Sequence, residues 1–510
     1  MPTLEKFGSA SQAVSADQAL ANLGYKNELK RTLSIWTILG LSVAIMGVPF
    51  GLSTTLYITL VNGQSVTVLW GWVFVTLCSI CIASSLAEIC AVYPTAGGPY
   101  FWSAMVSTRK YAPIASWITG WLNLVGNFLV TTSINFSGAQ IVLSVASLFH
   151  EEYVATPWQT VLAFWAFTLL AAAVNVFGTR YLSAINVGAM IWTAVSVGVF
   201  MIVLLVMAKA KRSASFVFTH YDASASGWPT GWSFFVGLLQ GGYVMLGYGL
   251  VASLCEEVEN PHLEVPRAMV ISVVVSGFVG LAFLIPVLFT LPDVATLLAV
   301  KAAAVVLLVF IIGIFLFASI GAFTAASRYT YAFARDGAIP GHLIWSRMNK
   351  KLEMPLMAML LNVIVSMLLG LIYFGSSAAF NSFTGTATIC LSTSYATPIL
   401  ASLIRSRKPV HGSAFSLRSW GFLINGISVS WIFFSIILFC MPVTLPVTAS
   451  SMNYSSVVFM GFGSVSVVWY IVYGRKHYKG PVASMEEDYL PGVVVETPGH
   501  EGEMETVKKS

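Results

Sequence analysis

Long apolar stretches alternate with short polar ones along almost the whole chain. Most of the twelve apolar stretches reach or exceed the roughly 20 residues that a helix needs to cross a bilayer. The pattern therefore predicts an all-α integral membrane protein with twelve transmembrane helices. The predicted segments are 33–60, 66–92, 113–147, 158–178, 182–208, 232–255, 268–291, 302–333, 355–374, 377–404, 420–447 and 454–473.

Two of these segments contain residues that discourage a helix at mid-depth. The first carries Gly47, Pro49 and Gly51 within "IMGVPFGLST", and glycine and proline both weaken a helix interior. The sixth segment has a cluster of four glycines: Gly241, Gly242, Gly247 and Gly249. We therefore expect helices one and six to be broken.

The two breaks lie five helices apart, in two regions of nearly equal length. Because an odd number of spans separates them, the second region would be inverted in the membrane relative to the first. Paired interruptions in inverted halves point to the central site of a transporter. The alternative is that the glycines only allow close helix packing or a kink.

These regions define the expected domain organisation. We expect cytoplasmic tails, two inverted repeats of five helices each, one extracellular loop and two added helices. The boundaries are 1–32 for the N-terminal tail, 33–208 for the first repeat, 209–231 for the loop, 232–404 for the second repeat, 405–474 for helices eleven and twelve, and 475–510 for the C-terminal tail.

Composition agrees with lipid as the solvent and charge predicts the topology. The chain is 57% hydrophobic and 9% charged, against about 25% charged in soluble domains. Of the 26 Lys and Arg residues, 22 fall on the side of the termini, and the four exceptions are Lys209, Lys211, Arg212 and Lys301. This bias places both termini in the cytoplasm. The net charge of +5 reflects topology, and we expect no nucleic-acid partner.

A broken helix is tolerated in lipid only where something satisfies its backbone. The freed N–H and C=O groups need a partner, which a buried solute or ion can supply. The half-helix ends also carry partial charge, positive at N-termini and negative at C-termini. Such ends can hold a carboxylate, an ammonium or a cation without a buried charged side chain.

Three motifs resemble the amino acid, polyamine and organocation transporter superfamily. They are "SLAEICAVYPTAGGPYFW" at 85–102, "EEVENPHLEVPRAM" at 256–269 and "YAFARDGAIP" at 331–340. The stretches "LGYKNELKR" at 23–31 and "LPVTASSMNY" at 445–454 resemble the fungal amino acid and choline permease branch, which includes GABA and choline permeases.

The resemblance implies a five-plus-five inverted-repeat fold of the LeuT type with two extra helices, alternating access and a substrate site at the breaks of helices one and six. Proton-driven uptake at the plasma membrane is usual in the family. Some bacterial relatives carry a proton-transferring Lys in helix five, which this chain lacks, so the coupling residue stays open. The residues implied for the site are Gly47, Val48, Pro49, Phe50 and Gly51, and Met245, Leu246, Gly247 and Tyr248.

The sequence adds candidates of its own. Asn127 and Thr131 belong to a polar stripe on helix three, which lines the solute path or only bonds to neighbouring helices. Tyr243 and Tyr248, with Phe50, form an aromatic set that can attract a substituted ammonium or serve in packing.

Four charged residues are candidates for coupling or gating. Glu88 is an ionisable group within helix two, and we weigh a proton carrier against a structural pair with an inner-loop arginine. Glu256 and Glu257 close helix six near Arg267, and we weigh an inner-gate charge network against a solvated cluster of charges.

Other functional classes fit less well. The seven His residues all fall in loops or tails, so no intramembrane catalytic centre, metal site or cofactor site is indicated. We therefore predict a non-enzymatic permease that imports a small amino acid or amine, such as GABA or choline, with protons as coupling ion. A transport-inactive nutrient sensor on the same fold is the alternative.

Overall fold

The computed structural model is all-helical through the part of the chain that it describes. It describes residues 16–18, 20–26, 28–29, 31–150, 152–208, 210–291, 301–448 and 451–481, and within these ranges the side chains at 301–303, 377 and 379–381 are left aside. Most of both predicted tails, and Lys209 in the predicted outer loop, lie outside the described residues.

The prediction of twelve membrane-spanning helices is confirmed. Each of the twelve is long and apolar enough to cross a membrane. We number them as spans 1 to 12: Ile35–Val61, Gln64–Val92, Ala112–Phe149, Pro157–Phe177, Thr179–Met207, Thr230–Glu257, Pro261–Thr290, Ala304–Arg335, Leu356–Phe374, Ser382–Ile404, Arg418–Phe439 and Ser455–His477.

Several spans are built from more than one helical piece, and some helices extend past the span limits. Span 8 lies in the helix Lys301–Arg335 and span 10 in Ser377–Ile404. Span 5 has the α-helix Leu182–Met207, span 9 has Leu356–Gly370, span 11 has Gly421–Phe439 and span 12 has Ser455–Trp469. Short helices outside the spans are Pro99–Val106, Ala214–Thr219, His342–Trp345 and Lys408–Val410.

Two predicted boundaries were wrong for identifiable reasons. Span 7 begins at Pro261, earlier than predicted. The prediction excluded its first turns because they carry the polar residues Glu264 and Arg267, but these turns are helical. Span 11 was predicted to run to residue 447, but its helix ends at Phe439. Pro442 and Pro446 follow, and proline lacks the N–H that a continuing helix needs.

Span 1 is interrupted at one residue, as predicted. The helices Ile35–Met46 and Val48–Val61 meet at Gly47, whose φ of 44° and ψ of 47° are left-handed. Glycine adopts this conformation without the penalty that a Cβ brings. Pro49 then occupies the first turn of the second helix, where its missing N–H costs nothing.

Span 6 is interrupted more extensively than span 1. Its α-helical pieces are Thr230–Val236 and Leu239–Val244. A 3₁₀ helix then runs over Gly247–Glu257 for 11 residues, although such helices rarely exceed three or four residues. The change from α to 3₁₀ geometry therefore occurs at Met245 and Leu246.

The packing of the spans follows a two-fold repeat. Span 2 packs against span 7, span 3 against span 8 and span 4 against span 9. The contact of span 1 with span 5 corresponds to that of span 6 with span 10. Likewise, the contact of span 3 with span 10 corresponds to that of span 8 with span 5. Spans 11 and 12 are not part of this repeat. The fold is therefore the predicted five-plus-five arrangement with two added helices.

Candidate functional site

Two cavities lie next to the interrupted spans. The smaller, of about 20 Å³, is lined by spans 1, 3 and 6 where the two interruptions meet. We call it the break cavity. The larger, of about 520 Å³, lies on the side of the bundle opposite the termini, and we call it the vestibule. The vestibule is in the size range of small-molecule pockets, about 300 to 1,000 Å³, whereas the break cavity holds about one water.

The break cavity has a mostly apolar lining. Phe50 and Gly51 of span 1 face Tyr243 and Gly247 of span 6 across it. These four residues belong to the set predicted for substrate binding, and the structure brings them together. The remaining lining residues are Ile45, Met46, Val130, Ile134, Val244, Leu246 and Leu250.

The glycines of the breaks let spans 1 and 6 touch. A Cβ built on Gly247 would lie 2.8 Å from Met46 Cγ. A Cβ on Gly51 would lie 2.8 Å from Val244 Cγ2, so each span contributes one glycine to the crossing. Gly47 faces span 8, where a Cβ would lie 3.3 Å from the Cβ of Ala318. The glycines therefore allow close helix packing, which was the alternative role considered for them. The helices are also interrupted at the same places.

A backbone carbonyl at the second break has an additional side-chain partner. Tyr395 of span 10 donates from its hydroxyl to the carbonyl oxygen of Leu246 at 3.3 Å. Its ring also lies 5.7 Å from that of Tyr248. Tyr248 is buried in this contact and lines neither cavity among the described residues, unlike Phe50 and Tyr243. Sequence reasoning missed Tyr395, since nothing near position 395 indicates a contact with span 6.

The vestibule is lined by hydroxyl and amide side chains from five parts of the chain. Spans 1, 3, 6 and 10 contribute, together with the segment between spans 11 and 12. The polar lining residues include Thr54, Thr55, Ser133, Ser137, Gln140, Ser382, Thr384, Thr444, Ser451, Asn453 and Ser455. The arrangement offers many neutral donors and acceptors to a polar solute.

Tyr243 lies between the two cavities, because its side chain lines both. Ser133 of span 3 lies beside it on the vestibule side. Ser133 is only 3% exposed, and its hydroxyl interacts with the Tyr243 hydroxyl, although the two do not reach full hydrogen-bond geometry. A polar atom of a solute can replace this weak contact with a better hydrogen bond.

The polar stripe of span 3 lies on another face of that helix. Asn127 donates to the backbone and side-chain oxygens of Asn123 at 2.8 and 2.7 Å, and Thr131 donates to the Asn127 carbonyl at 2.7 Å. The ends of the stripe bond to Ser394 of span 10 and Ser319 of span 8. These bonds support helix–helix contact, and substrate binding by Asn127 and Thr131 stays a prediction.

We call the side on which span 1 begins and span 12 ends the terminal side, and two ion pairs of span 6 lie there. Arg335 donates to both carboxylate oxygens of Glu256 at 2.9 and 3.1 Å. Arg328 donates to Glu257 at 2.9 Å. Both pairs join the last turn of span 6 to span 8. We call these four residues the terminal-side gate, after the gating role that was predicted for Glu256 and Glu257.

Arg267 is a correction to the predicted charge network. The inner-gate network would pair it with Glu256 and Glu257, yet its side chain is exposed and the two carboxylates are held by arginines of span 8. Arg267 lies instead near Glu264 in the first turns of span 7. Proximity in sequence suggested Arg267, while the actual partners are 71 residues away for Glu257 and 79 residues away for Glu256.

The segment before span 1 covers the gate. Thr32 and Leu33 donate their backbone N–H groups to the Glu257 carbonyl at 2.9 and 3.0 Å, and Glu259 donates its N–H to the Leu33 carbonyl. Arg31 donates to the Val258 carbonyl at 2.8 Å. The N-terminal segment is thus attached to the end of span 6 by backbone and side chain together.

Asp336 anchors the same segment through two tyrosines. Tyr25 donates to its carboxylate at 2.9 Å and Tyr100 donates at 2.9 Å. Burial raises the pKa of Asp336 to about 6, although Arg335 and the two hydroxyls act in the opposite direction. Burial and the Asp336 charge both raise the pKa of Tyr25 and Tyr100, so these phenols remain donors.

Glu88 is paired with an arginine of the loop between spans 10 and 11. Arg407 donates from one nitrogen to both carboxylate oxygens, at 2.6 and 2.8 Å, and the Leu417 N–H donates to the same carboxylate at 2.9 Å. The Glu88 side chain is 2% exposed and that of Arg407 is 8% exposed. This geometry is the structural pair with an inner-loop arginine that we weighed against a proton carrier.

Comparisons with known proteins agree with this geometry. A model of the family described as amino acid permease matches residues 33–462. An amino-acid permease homolog of Oryza sativa subsp. japonica is 34% identical, over 92% of this chain and 95% of its own. A polyamine transporter of Saccharomyces cerevisiae is 31% identical over 92% and 79%. A choline transporter of the same yeast is 29% identical over 88% and 83%.

The Glu88 pair predicts a loss of stability on substitution. Glu88→Gln leaves the Arg407 charge buried without its carboxylate, which typically costs about 3 to 5 kcal/mol. Thermal unfolding of the purified protein should show this loss. The double variant Glu88→Gln with Arg407→Gln should be closer to the parent, because no unpaired charge remains. A single variant as stable as the parent would contradict the structural role.

Asp336 predicts a pH dependence of stability. Its pKa of about 6 lies above its ordinary value, so its stabilising contribution is complete at low pH and is lost as the pH rises through about 6. Relative to Asp336→Asn, the parent should therefore lose thermal stability between about pH 5 and about pH 7. Thermal unfolding of both proteins across that range measures the difference.

Asp222 supplies a matched control for this experiment. Its backbone bond with Ser224 lowers the pKa of its carboxyl, so the group stays ionised from about pH 5 to about pH 7. The plot of thermal stability against pH for Asp222→Asn should run parallel to that of the parent. If Asp336→Asn also runs parallel, the assignment of this pH dependence to Asp336 is wrong.

Proposed function

The chain belongs to the amino acid permease family, and from this premise we propose that it is a secondary active permease importing a small amino acid or amine by alternating access. The observation that carries the proposal is that the two ends of the bundle differ along spans 1 and 6. On the terminal side, ion pairs and the N-terminal segment close the way to the break cavity. On the other side, the vestibule lies open next to it.

The direction of transport follows from the proposed orientation. The distribution of Lys and Arg supports cytoplasmic termini. With that orientation the vestibule faces the exterior, and the gate of Glu256, Glu257, Arg328 and Arg335 faces the cytoplasm. The arrangement is then an outward-facing one, ready to admit solute from outside. We propose the plasma membrane as its location, on the family resemblance.

The proposed substrate site lies at the break cavity. There the C-terminal end of the helix Ile35–Met46 meets the N-terminal end of Val48–Val61. The first end favours an ammonium and the second a carboxylate. Phe50 and Tyr243 add aromatic faces to the lining, which can contribute cation–π attraction to a substituted amine.

We propose protons as the coupling ion. The family resemblance supports this choice, and the chain lacks the helix-five lysine through which some relatives couple. A test follows directly: uptake of radiolabelled GABA, choline and neutral amino acids into cells, with and without a protonophore. Uptake that collapses with the protonophore supports proton coupling. Surface protein that binds solute but transports none identifies a sensor instead.

Glycine substitutions at the breaks test the site. Gly47→Leu adds bulk to a left-handed residue, and Gly247→Leu inserts a side chain where a Cβ already lies 2.8 Å from Met46. Both variants should abolish uptake while still reaching the cell surface. Uptake assays combined with surface labelling measure the two quantities.

Gly198→Leu is the matched control for these variants. It adds the same side chain within span 5, where a Cβ on Gly198 would meet no atom within 4 Å. Its uptake and surface level should equal those of the parent. Normal uptake by both Gly47→Leu and Gly247→Leu would place the site elsewhere.

A further inference from the structure

The described segments that line the vestibule contain no Asp, Glu, Lys, Arg or His. The stretches 48–61, 127–140, 239–246, 378–385 and 443–455 supply its lining residues, and none of them contains Asp, Glu, Lys or Arg. Its polar character comes from hydroxyls and amides alone. The local field on a solute therefore arises from neutral dipoles.

The carboxylates within the described spans lie far from this vestibule, on the terminal side. They are Glu88, Glu256, Glu257 and Glu264. The first three are held by arginines, so their charge is already balanced. A polycation leaving water through the vestibule would meet no carboxylate among the described lining residues, and an uncompensated charge in a low-dielectric path is strongly disfavoured.

A zwitterion meets different conditions. Its ammonium and carboxylate compensate each other, and a hydroxyl can accept from the first or donate to the second. The buried Ser133 hydroxyl lies against the Tyr243 hydroxyl at the passage to the break cavity, in a contact that falls short of full hydrogen-bond geometry. A solute crossing this passage would satisfy that hydroxyl.

We propose that the vestibule is the part of the path that sets charge selectivity: it admits a net-neutral zwitterionic amino acid, which bonds to Ser133 beside Tyr243, and rejects polyamines. The inference rests on the proposed function and narrows its substrate class. The substrate class inferred for this chain thus differs from the one named for the polyamine transporter of yeast to which it is similar.

The first experiment compares probes of different net charge. The full chain is purified, reconstituted in liposomes and assayed for uptake of radiolabelled GABA, L-alanine, choline and spermidine. The expected result is uptake of GABA or L-alanine, with little uptake of choline or spermidine. Uptake of choline or spermidine at a rate comparable to the zwitterions overturns the inference but leaves the permease function intact. Uptake of none of the four overturns both.

A second experiment adds one carboxylate to the vestibule. Gln140→Glu changes an exposed lining residue with little change in size. Spermidine should then inhibit uptake of the zwitterion about five-fold more strongly, the effect of one charge pair near water. Inhibition by unlabelled L-alanine should change little.

Gln159→Glu is the control for added charge. Gln159 lies in the first turn of span 4, where its side chain accepts from the Thr156 N–H, on the same side of the bundle but outside the vestibule lining. A carboxylate can accept the same bond, so folding should be unaffected. If Gln159→Glu sensitises the protein to spermidine as strongly, or Gln140→Glu does not do so at all, the vestibule does not set selectivity.

A third experiment tests Ser133. Ser133→Ala should raise the KM for the zwitterion about five-fold with little change in maximal rate, since one hydrogen bond is lost. Thr132→Val is the control, because the Thr132 hydroxyl donates to the Phe128 carbonyl within its own helix. An unchanged KM for Ser133→Ala, or an equal rise for Thr132→Val, overturns the role of Ser133.

Discussion

Backbone groups deep in a membrane protein must have partners, and the interruptions of spans 1 and 6 are the places where helix geometry does not supply them. In span 1 the deviation is confined to Gly47, and the hydrogen bonds from Gly47 to Val43 and from Gly51 to Gly47 persist on either side. In span 6 the change to 3₁₀ geometry is longer, and Tyr395 donates to the Leu246 carbonyl. The two breaks are thus held differently, although they lie at corresponding positions of the repeat.

The crossing of the two breaks explains why the break cavity is small. Gly51 and Gly247 allow the two spans to approach until the next side chains touch, and a volume of about 20 Å³ remains. A solute larger than water requires these spans to separate. Binding at the proposed site would therefore be tied to a relative movement of spans 1 and 6, which a ligand stabilises only by preferring the separated arrangement.

Sequence predicted the parts of the fold that depend on local composition. The twelve spans and the position of the interruption at Gly47 follow from apolar length and from glycine and proline. The end of span 11 was missed because an apolar run continues past Phe439, where two prolines stop the helix.

The features that sequence reasoning left open, or assigned to other partners, depend on long-range contacts. The stripe of Asn127 and Thr131 faces neighbouring helices, while Ser133, Ser137 and Gln140 on another face line the vestibule. A helical period identifies a polar face but not what it contacts. In the same way the partners of Glu256 and Glu257 are fixed by the packing of span 6 on span 8, which the local sequence around Arg267 does not encode.

The ion pairs of the terminal-side gate hold span 6 firmly against span 8, yet separating the two spans would cost little net free energy. Removing one member of a buried ion pair leaves an uncompensated charge, but separating both members into water restores their hydration and offsets much of the lost attraction. Glu256 with Arg335 and Glu257 with Arg328 all become hydrated together if span 6 moves away from span 8. The backbone bonds from Thr32 and Leu33 to Glu257 would be exchanged for water in the same movement. Ion pairs therefore suit this interface better than an apolar seal of equal area, since exposing apolar surface to water gains nothing in return.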